Sequence, residues 1–192
     1  DIEVLFENSG LSMTSASSSL DKVKLSNLQA DIPNLDANAL LTITADGEAT
    51  SQEITNLMLQ SSLADSLGRI LDKDVIVDGQ LATRLSLFIP ITNGSQTRAK
   101  GEVYLNGNSL SIPAIDLDFS DTDGVVSFDN EKIEVRGLKA SLLGQAVKVD
   151  LNTEQLDEAY NLFTSISGDW EAAKLAQFIS DDLAALFVGS SN

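Results

Sequence analysis

With 192 residues, 43% of them hydrophobic, the chain is long enough to bury a real core and short enough for one domain or two small ones. A formal net charge of -17 with only 12 basic residues excludes a phosphate-reading nucleic-acid surface and disfavours docking on anionic head groups. Cysteine and histidine are both absent, which removes disulfides, thiolate chemistry, the usual zinc ligands and every Ser-His or Cys-His pairing.

The chain starts at Asp1 and shows neither a signal peptide nor an apolar run of the ~18 residues that a membrane span needs. It reads as a soluble piece of something longer whose targeting elements lie upstream. Ile2, Val4 and Phe6 alternate with Glu3 and Leu5, and Asn8, Ser9 and Gly10 then read as a turn before Leu11 and Met13. Residues 15–19 read as a polar, serine-rich loop, with no base nearby to activate a hydroxyl. Val23 and Leu25, then Leu28, Ala30 and Ile32, keep period two with one slip of phase, which predicts a bulge or turn near Asn27. Pro33 and Asn34 close that strand, and Leu41, Ile43, Ala45, Gly47 and Ala49 form the next.

Over residues 52–71 the period becomes helical, with Ile54, Leu57 and Met58 on one face and Leu63, Leu67, Ile70 and Leu71 on another. This predicts one or two short amphipathic helices that cover the sheet or close one end of it. From Val75 to Leu105 the odd positions are almost all apolar or small, while the even ones include Asp78, Gln80, Arg84, Ser86, Lys100, Glu102 and Asn106. Side chains alternate across a pleated strand, so this pattern makes long strands with one apolar and one wet side. Ile76, Phe88 and Tyr104 are the exceptions.

Asn93 with Gly94, and residues 106–108, read as turns. After Pro113 the alternation resumes at Ile115, Leu117 and Phe119, turns at Asp123 and Gly124, continues through Val126 and Phe128, and turns again at Asp129 and Asn130. Ile133, Val135, Leu138, Ala140 and Leu142, then Val147, Val149 and Leu151, complete the series. Short turns between successive strands predict an antiparallel meander over residues 1–152. Residues 153–192 read as a helical segment leading toward a further unit, with a helix over 169–188 that starts at Gly168 and Asp169 and ends at Gly189. The fold class is thus mainly β with a few helices.

Candidate chemistry is sparse. Asp116, Asp118, Asp121, Asp123 and Gly124 form an acidic cluster of the hard oxygen ligands that calcium prefers, but an EF-hand loop with Gly124 at its invariant glycine would begin at Phe119, which is no ligand. A wet strand face running into a turn is the better reading. Gly137 and Gly144 lack the Lys and Ser/Thr of a phosphate loop. Trp170 and Tyr104 are the residues able to stack on a sugar, but a lone tryptophan at a helix start is better read as a core or interface anchor. The expectation is a protein without catalytic residues, metal or cofactor.

Several runs nevertheless carry a family resemblance. Residues 101–108 (GEVYLNGN), 110–113 (LSIP), 124–129 (GVVSFD) and 135–147 (VRGLKASLLGQAV) resemble the repeat of the YhdP branch of the AsmA-like envelope proteins, relatives of TamB. Residues 62–68 (SLADSLG), followed by 77–79 (VDG) and 85–91 (LSLFIPI), are similar to the preceding part of the same unit. The resemblance covers residues 1–152, and Ala146 stands where the family ordinarily has proline after Leu-Gly-Gln. It implies a Gram-negative periplasmic segment of a protein anchored in the inner membrane. That segment would be a long curved antiparallel sheet, taco-like, whose apolar groove carries phospholipid between inner and outer membranes. Partners would be phospholipid acyl chains and, through the full-length protein, components of both membranes, with no nucleic acid. On that reading an acyl tail lies along Leu81, Leu85, Leu87, Ile89, Val103, Leu105, Val147, Val149 and Leu151. The alternative is a scaffolding β module of the envelope with no lipid cargo, its apolar face covered by its own helices.

Overall fold

The computed structural model describes residues 2–169 apart from 37, 62–63, 65–67, 92–95, 131 and 157–158. Among these residues the strands are β1 (Ile2–Glu7), β2 (Gly10–Leu20), β3 (Val23–Ile32), β4 (Leu40–Thr50), β5 (Ile76–Asp78), β6 (Gln80–Pro90), β7 (Arg98–Ile112), β8 (Leu117–Asp129), β9 (Lys132–Leu142), β10 (Gln145–Leu156) and β11 (Ala159–Gly168). Helix α1 (Ser51–Leu59) and a π-helical turn (Ile70–Asp74) intervene between β4 and β5, and a 3-10 turn (Pro113–Ile115) joins β7 to β8.

All the strands belong to one 11-stranded sheet in the order β1-β2-β3-β4-β6-β7-β8-β9-β10-β11, with β5 paired to the far end of β7. Every pairing is antiparallel, and β1 and β11 do not meet, so the sheet is open. Two-residue turns make this arrangement cheap. Leu143 and Gly144 both take positive φ, 56° and 73°, the mirror-image turn whose twist matches that of the flanking strands.

Several strands are bulged rather than ended. Asn27 (φ 52°), Gly107 (φ 68°), Asp121 (φ 51°) and Gly137 (φ 60°) sit where the register shifts between neighbours. Each adds a residue, and so bends and twists its strand while returning the following side chains to the correct face. The slip near Asn27 is as the alternation predicts.

Three expectations are corrected here. Residues 15–19 are not a loop but part of β2, paired with β3 as far as Leu20↔Val23, because backbone pairing and the apolar residues at either end outweigh serine's weak strand preference. Residues 106–108 and Asp123 with Gly124 are not hairpin turns. They face each other in mid-strand as Asn106↔Asp123 and Asn108↔Thr122, so turn-type residues serve a bulge. Residues 153–168 are not helical: β10 runs through position 152 to Leu156, and β11 pairs with it from Ala159 to Gly168. Alternation of Thr164 and Ile166 with Ser165 and Ser167 carries that edge strand, which the helix-like spacing just upstream hides. The one or two short helices expected over 52–71 are present as α1 and the π-helical turn, with Ala64, Gly68 and Arg69 also helical and residues 62–63 and 65–67 outside the described set. The turn at Asn93 and Gly94 and the helix over 169–188 lie, but for Asp169, outside the described residues.

Candidate functional site

Residues opposed in an antiparallel ladder share a face, and the register places one apolar face across the whole sheet. One row runs Val4↔Met13, Met13↔Ala30, Ala30↔Ile43, Ile43↔Leu87 and Leu87↔Ala99. Another runs Leu25↔Gly47, Gly47↔Thr83, Thr83↔Val103, Val103↔Val126, Val126↔Val135, Val135↔Leu151 and Leu151↔Thr164. The opposite face carries a row Asp46↔Arg84, Arg84↔Glu102, Glu102↔Ser127 and Ser127↔Glu134.

Leu81, Leu85, Leu87, Ile89, Val103, Leu105, Val147, Val149 and Leu151 all lie on the apolar face. They do not share one environment. Leu81, Leu105, Val147, Val149 and Leu151 are buried in the main core cluster, with Val103 packed against it. Leu85 and Leu87 are half-buried in a smaller cluster around Ala99, with Met58 and Phe128. Ile89, half-buried, belongs to neither cluster and pairs with Leu41. Burial falls steeply toward the N-terminal edge: Val149 is 4% exposed, whereas Val4 is 52% and Phe6 71% exposed.

The insert between β4 and β5 covers part of the buried face. Thr50 caps α1 with a complete capping box, its hydroxyl accepting from the Glu53 amide at 3.3 Å while the Glu53 carboxylate accepts from the Thr50 amide at 3.0 Å. The backbone hydrogen bond from Thr50 holds the Glu53 carboxyl below its usual range. Ser51 ties the helix to β5 by donating its hydroxyl to the Val77 carbonyl, and its amide donates to the Gly79 carbonyl at 3.1 Å. So anchored, α1 points Ile54 into the main core and Met58 over Leu85 and Leu87.

Beneath α1 and the π-helical turn the described residues leave an apolar space. Ile54, Thr55, Ile70 and Leu71 above, and Val77, Leu81, Val103, Leu105, Leu110, Ile112, Val126, Ile133, Val135 and Leu151 below, line a partly open cavity of about 100 Å³. Its walls are almost wholly aliphatic. Of the residues expected to hold an acyl tail, Leu81, Val103, Leu105 and Leu151 are in its wall; Val147 and Val149 are packed elsewhere in the dry core. Val126 and Val135 belong to the same alternation yet are missing from the sequence-based set, and the roof residues are legible only once α1 is seen to lie on this face.

The polar face is tied by ion pairs. Arg84 Nε lies 3.2 Å from an Asp46 carboxylate oxygen. Hydrogen bonds from Asn27 and then Arg84 lower the Asp46 pKa, and the bond to Asp46 raises that of Arg84. Arg98 pairs with Asp129 and lowers its pKa in the same way. The Tyr104 hydroxyl donates to Glu102, which pushes the phenol upward. Of the acidic cluster, Asp116 caps the 3-10 turn in a left-handed conformation, Asp121 makes the bulge of β8, and Asp123 accepts from the Gly107 amide at 3.3 Å. Among the described residues no group of three or more acids is placed to hold a metal. No described helix is long and apolar enough to cross a membrane.

Comparison with known proteins adds the following. The family model described as YhdP protein matches residues 1–192. The intermembrane phospholipid transporter YhdP of Escherichia coli (strain K12) is 37% identical over 174 residues, covering 91% of this chain and 14% of the relative. The chain therefore spans about a seventh of the length of the curated relative it matches. No solved structure matches it.

Proposed function

The chain belongs to the YhdP family, and from that membership we propose that it is one periplasmic stretch of an inner-membrane-anchored lipid transporter. Its apolar face forms part of a groove that carries phospholipid acyl chains between inner and outer membranes, and it performs no catalysis. The observation that carries this reading is the register: apolar positions oppose one another from β1 to β11 on one side, with charged positions on the other. The relative's description as an intermembrane phospholipid transporter supports the cargo. Bulges in β3, β7, β8 and β9 are the devices by which a long sheet curls, and they support a curved, taco-like trough.

The mechanism follows from the nature of the contact. Burying apolar surface is worth roughly 25 cal/mol per Å², so a tail lying along Leu85, Leu87 and Ile89 is held by many weak contacts. None of these is directional. A tail therefore slides along the face with little barrier while its head group stays in water at the rim. The strongly acidic outer surface keeps the long sheet soluble.

A second reading is favoured by one observation: Leu105, Val147 and Val149 are buried by the protein itself. A scaffold with a self-covered face and no lipid cargo would look the same there. Titrating delipidated protein with a fluorescent fatty acid separates the two. Transport predicts saturable binding that Leu85→Asp weakens at least tenfold while the fold, followed by far-UV circular dichroism, persists. No binding by the intact fold, or none lost in the variant, supports the scaffold.

A further inference from the structure

We propose, resting on the lipid-path reading above, that the cavity between the sheet and α1 with the π-helical turn seats the methyl end of a single acyl chain. This stretch is then a station where a tail is held, and not only a surface along which it passes.

Size sets the first constraint. An apolar cavity of roughly 150 Å³ takes a benzene molecule, so the space of about 100 Å³ here has room for ~four carbons and not for a whole tail or a head group. Chemistry sets the second. The polar side chains in the wall are Ser51 and Thr55, and the Ser51 hydroxyl already donates to the Val77 carbonyl. Among the described residues no charged side chain lines the space. A carboxylate or phosphate would be buried there without a partner, at prohibitive cost, so the chain enters methyl end first.

Position supplies the third. Leu81, in the cavity wall, and Leu85, Leu87 and Ile89 lie along the same face of β6. At ~3.3 Å per residue that run spans roughly 26 Å, while one tail covers about half of the ~30 Å hydrocarbon core of a bilayer. A tail with its methyl end beside Leu81 therefore brings its ester end to the level of Leu85 and Leu87. There Met58 of α1 packs with them around Ala99, and the face beyond, at Ile89 and Ile91, is half-buried to exposed.

The test uses the full-length protein and two photoreactive phospholipids, one with a diazirine at the terminal carbon of the tail and one with it next to the ester, mapped by mass spectrometry. The terminal probe is expected to label peptides carrying Ile54, Val126 and Val135 at least fivefold more than the ester-proximal probe, which labels around Leu87 and Ile89. Filling the cavity by Val126→Leu is expected to cut the terminal label at Ile54 and Val135 at least fivefold. Ester-proximal labelling at Ile89 in the same sample reports that the face remains folded. Equal labelling of the cavity by both probes, or terminal labelling confined to Leu87 and Ile89, overturns the end-seat and leaves the lipid path standing. Labelling of this face by neither probe overturns both.

Discussion

The Thr122 hydroxyl donates to the carbonyl oxygen of Asn108 at 2.7 Å, joining β7 to β8 at the point where both strands are bulged. Asn108 carries more than this bond. Its side-chain amide donates to the carbonyls of Asp78 at 2.9 Å and Gln80 at 3.0 Å, and its side-chain oxygen accepts from the Asn106 amide at 2.8 Å. One buried side chain thus replaces the ladder bonds lost where β5 breaks from β6 at Gly79. It adds to the pairing of β5 with β7 by fixing the junction between β5 and β6.

Asn108→Ala leaves the Asp78 and Gln80 carbonyls without their partner, and is expected to destabilise the fold by about 2–3 kcal/mol, the cost of orphaned buried polar groups. Thr122→Val, which keeps the shape and loses one donor, costs about 1 kcal/mol. Urea unfolding of both variants checks the order. Equal effects would mean that Asn108 does not bridge β5 and β6.

Gly101 and Gly107 are needed for different reasons. A Cβ on Gly101 would stand 2.2 Å from the Arg84 carbonyl oxygen and 2.9 Å from the Phe128 ring, so Gly101→Ala forces β6 and β7 apart. Nothing lies within 4 Å of a Cβ on Gly107, whose φ of 68° is the sole obstacle. Gly107→Ala is expected to cost about 1–2 kcal/mol, and Gly101→Ala more than about 4 kcal/mol, in the exceptional range for a single substitution. Thermal unfolding of the two side by side tests the contrast.

Thr50→Ala removes the capping box, and about 1 kcal/mol of helix stability with it. Because α1 packs on the sheet without being part of it, the effect is expected to be local. Amides of residues 51–59 should exchange faster with deuterium, while those of β8 to β10 keep their protection. Uniform loss of protection would show that the insert and the sheet unfold as one unit.

Asp46 and Asp129 have depressed pKa values in the fold, through hydrogen bonds to Asn27 and Arg84 and to Arg98 respectively. A depressed carboxyl contributes stability that is fully present above the unfolded value of about 3.9, and that is lost as pH falls through the lower folded value. Both carboxylates are partly exposed, so the contribution is small. Asp46→Asn should therefore be slightly destabilising at pH 7, by an amount that shrinks with added salt and is lost as pH falls through the lowered folded value. An effect that persists in acid would assign it to the Asn27 contact and not to charge.

Much of the sheet is legible in the sequence because its alternation is strict: Leu81 to Ile89 and Ala99 to Leu105 have the faces their parity predicts. Parity cannot reveal that Gly107 and Asp121 bulge a strand instead of ending it, since both devices use the same residue types. It also cannot overrule helix-like spacing at residues 153–168, where the partner strand β10 decides. The candidate site was only half visible. The apolar face follows from period two, but the cavity depends on α1 leaving space between Ile54 and Val135, which no local pattern encodes.

Parity also offers the most direct test of the lipid path. A photoreactive amino acid placed in turn at Arg84, Leu85, Ser86 and Leu87 of the full-length protein, irradiated in cells, reads out which face of β6 meets lipid. The account predicts phospholipid adducts at 85 and 87 and none at 84 and 86. Adducts at all of these positions, or at none, would contradict it.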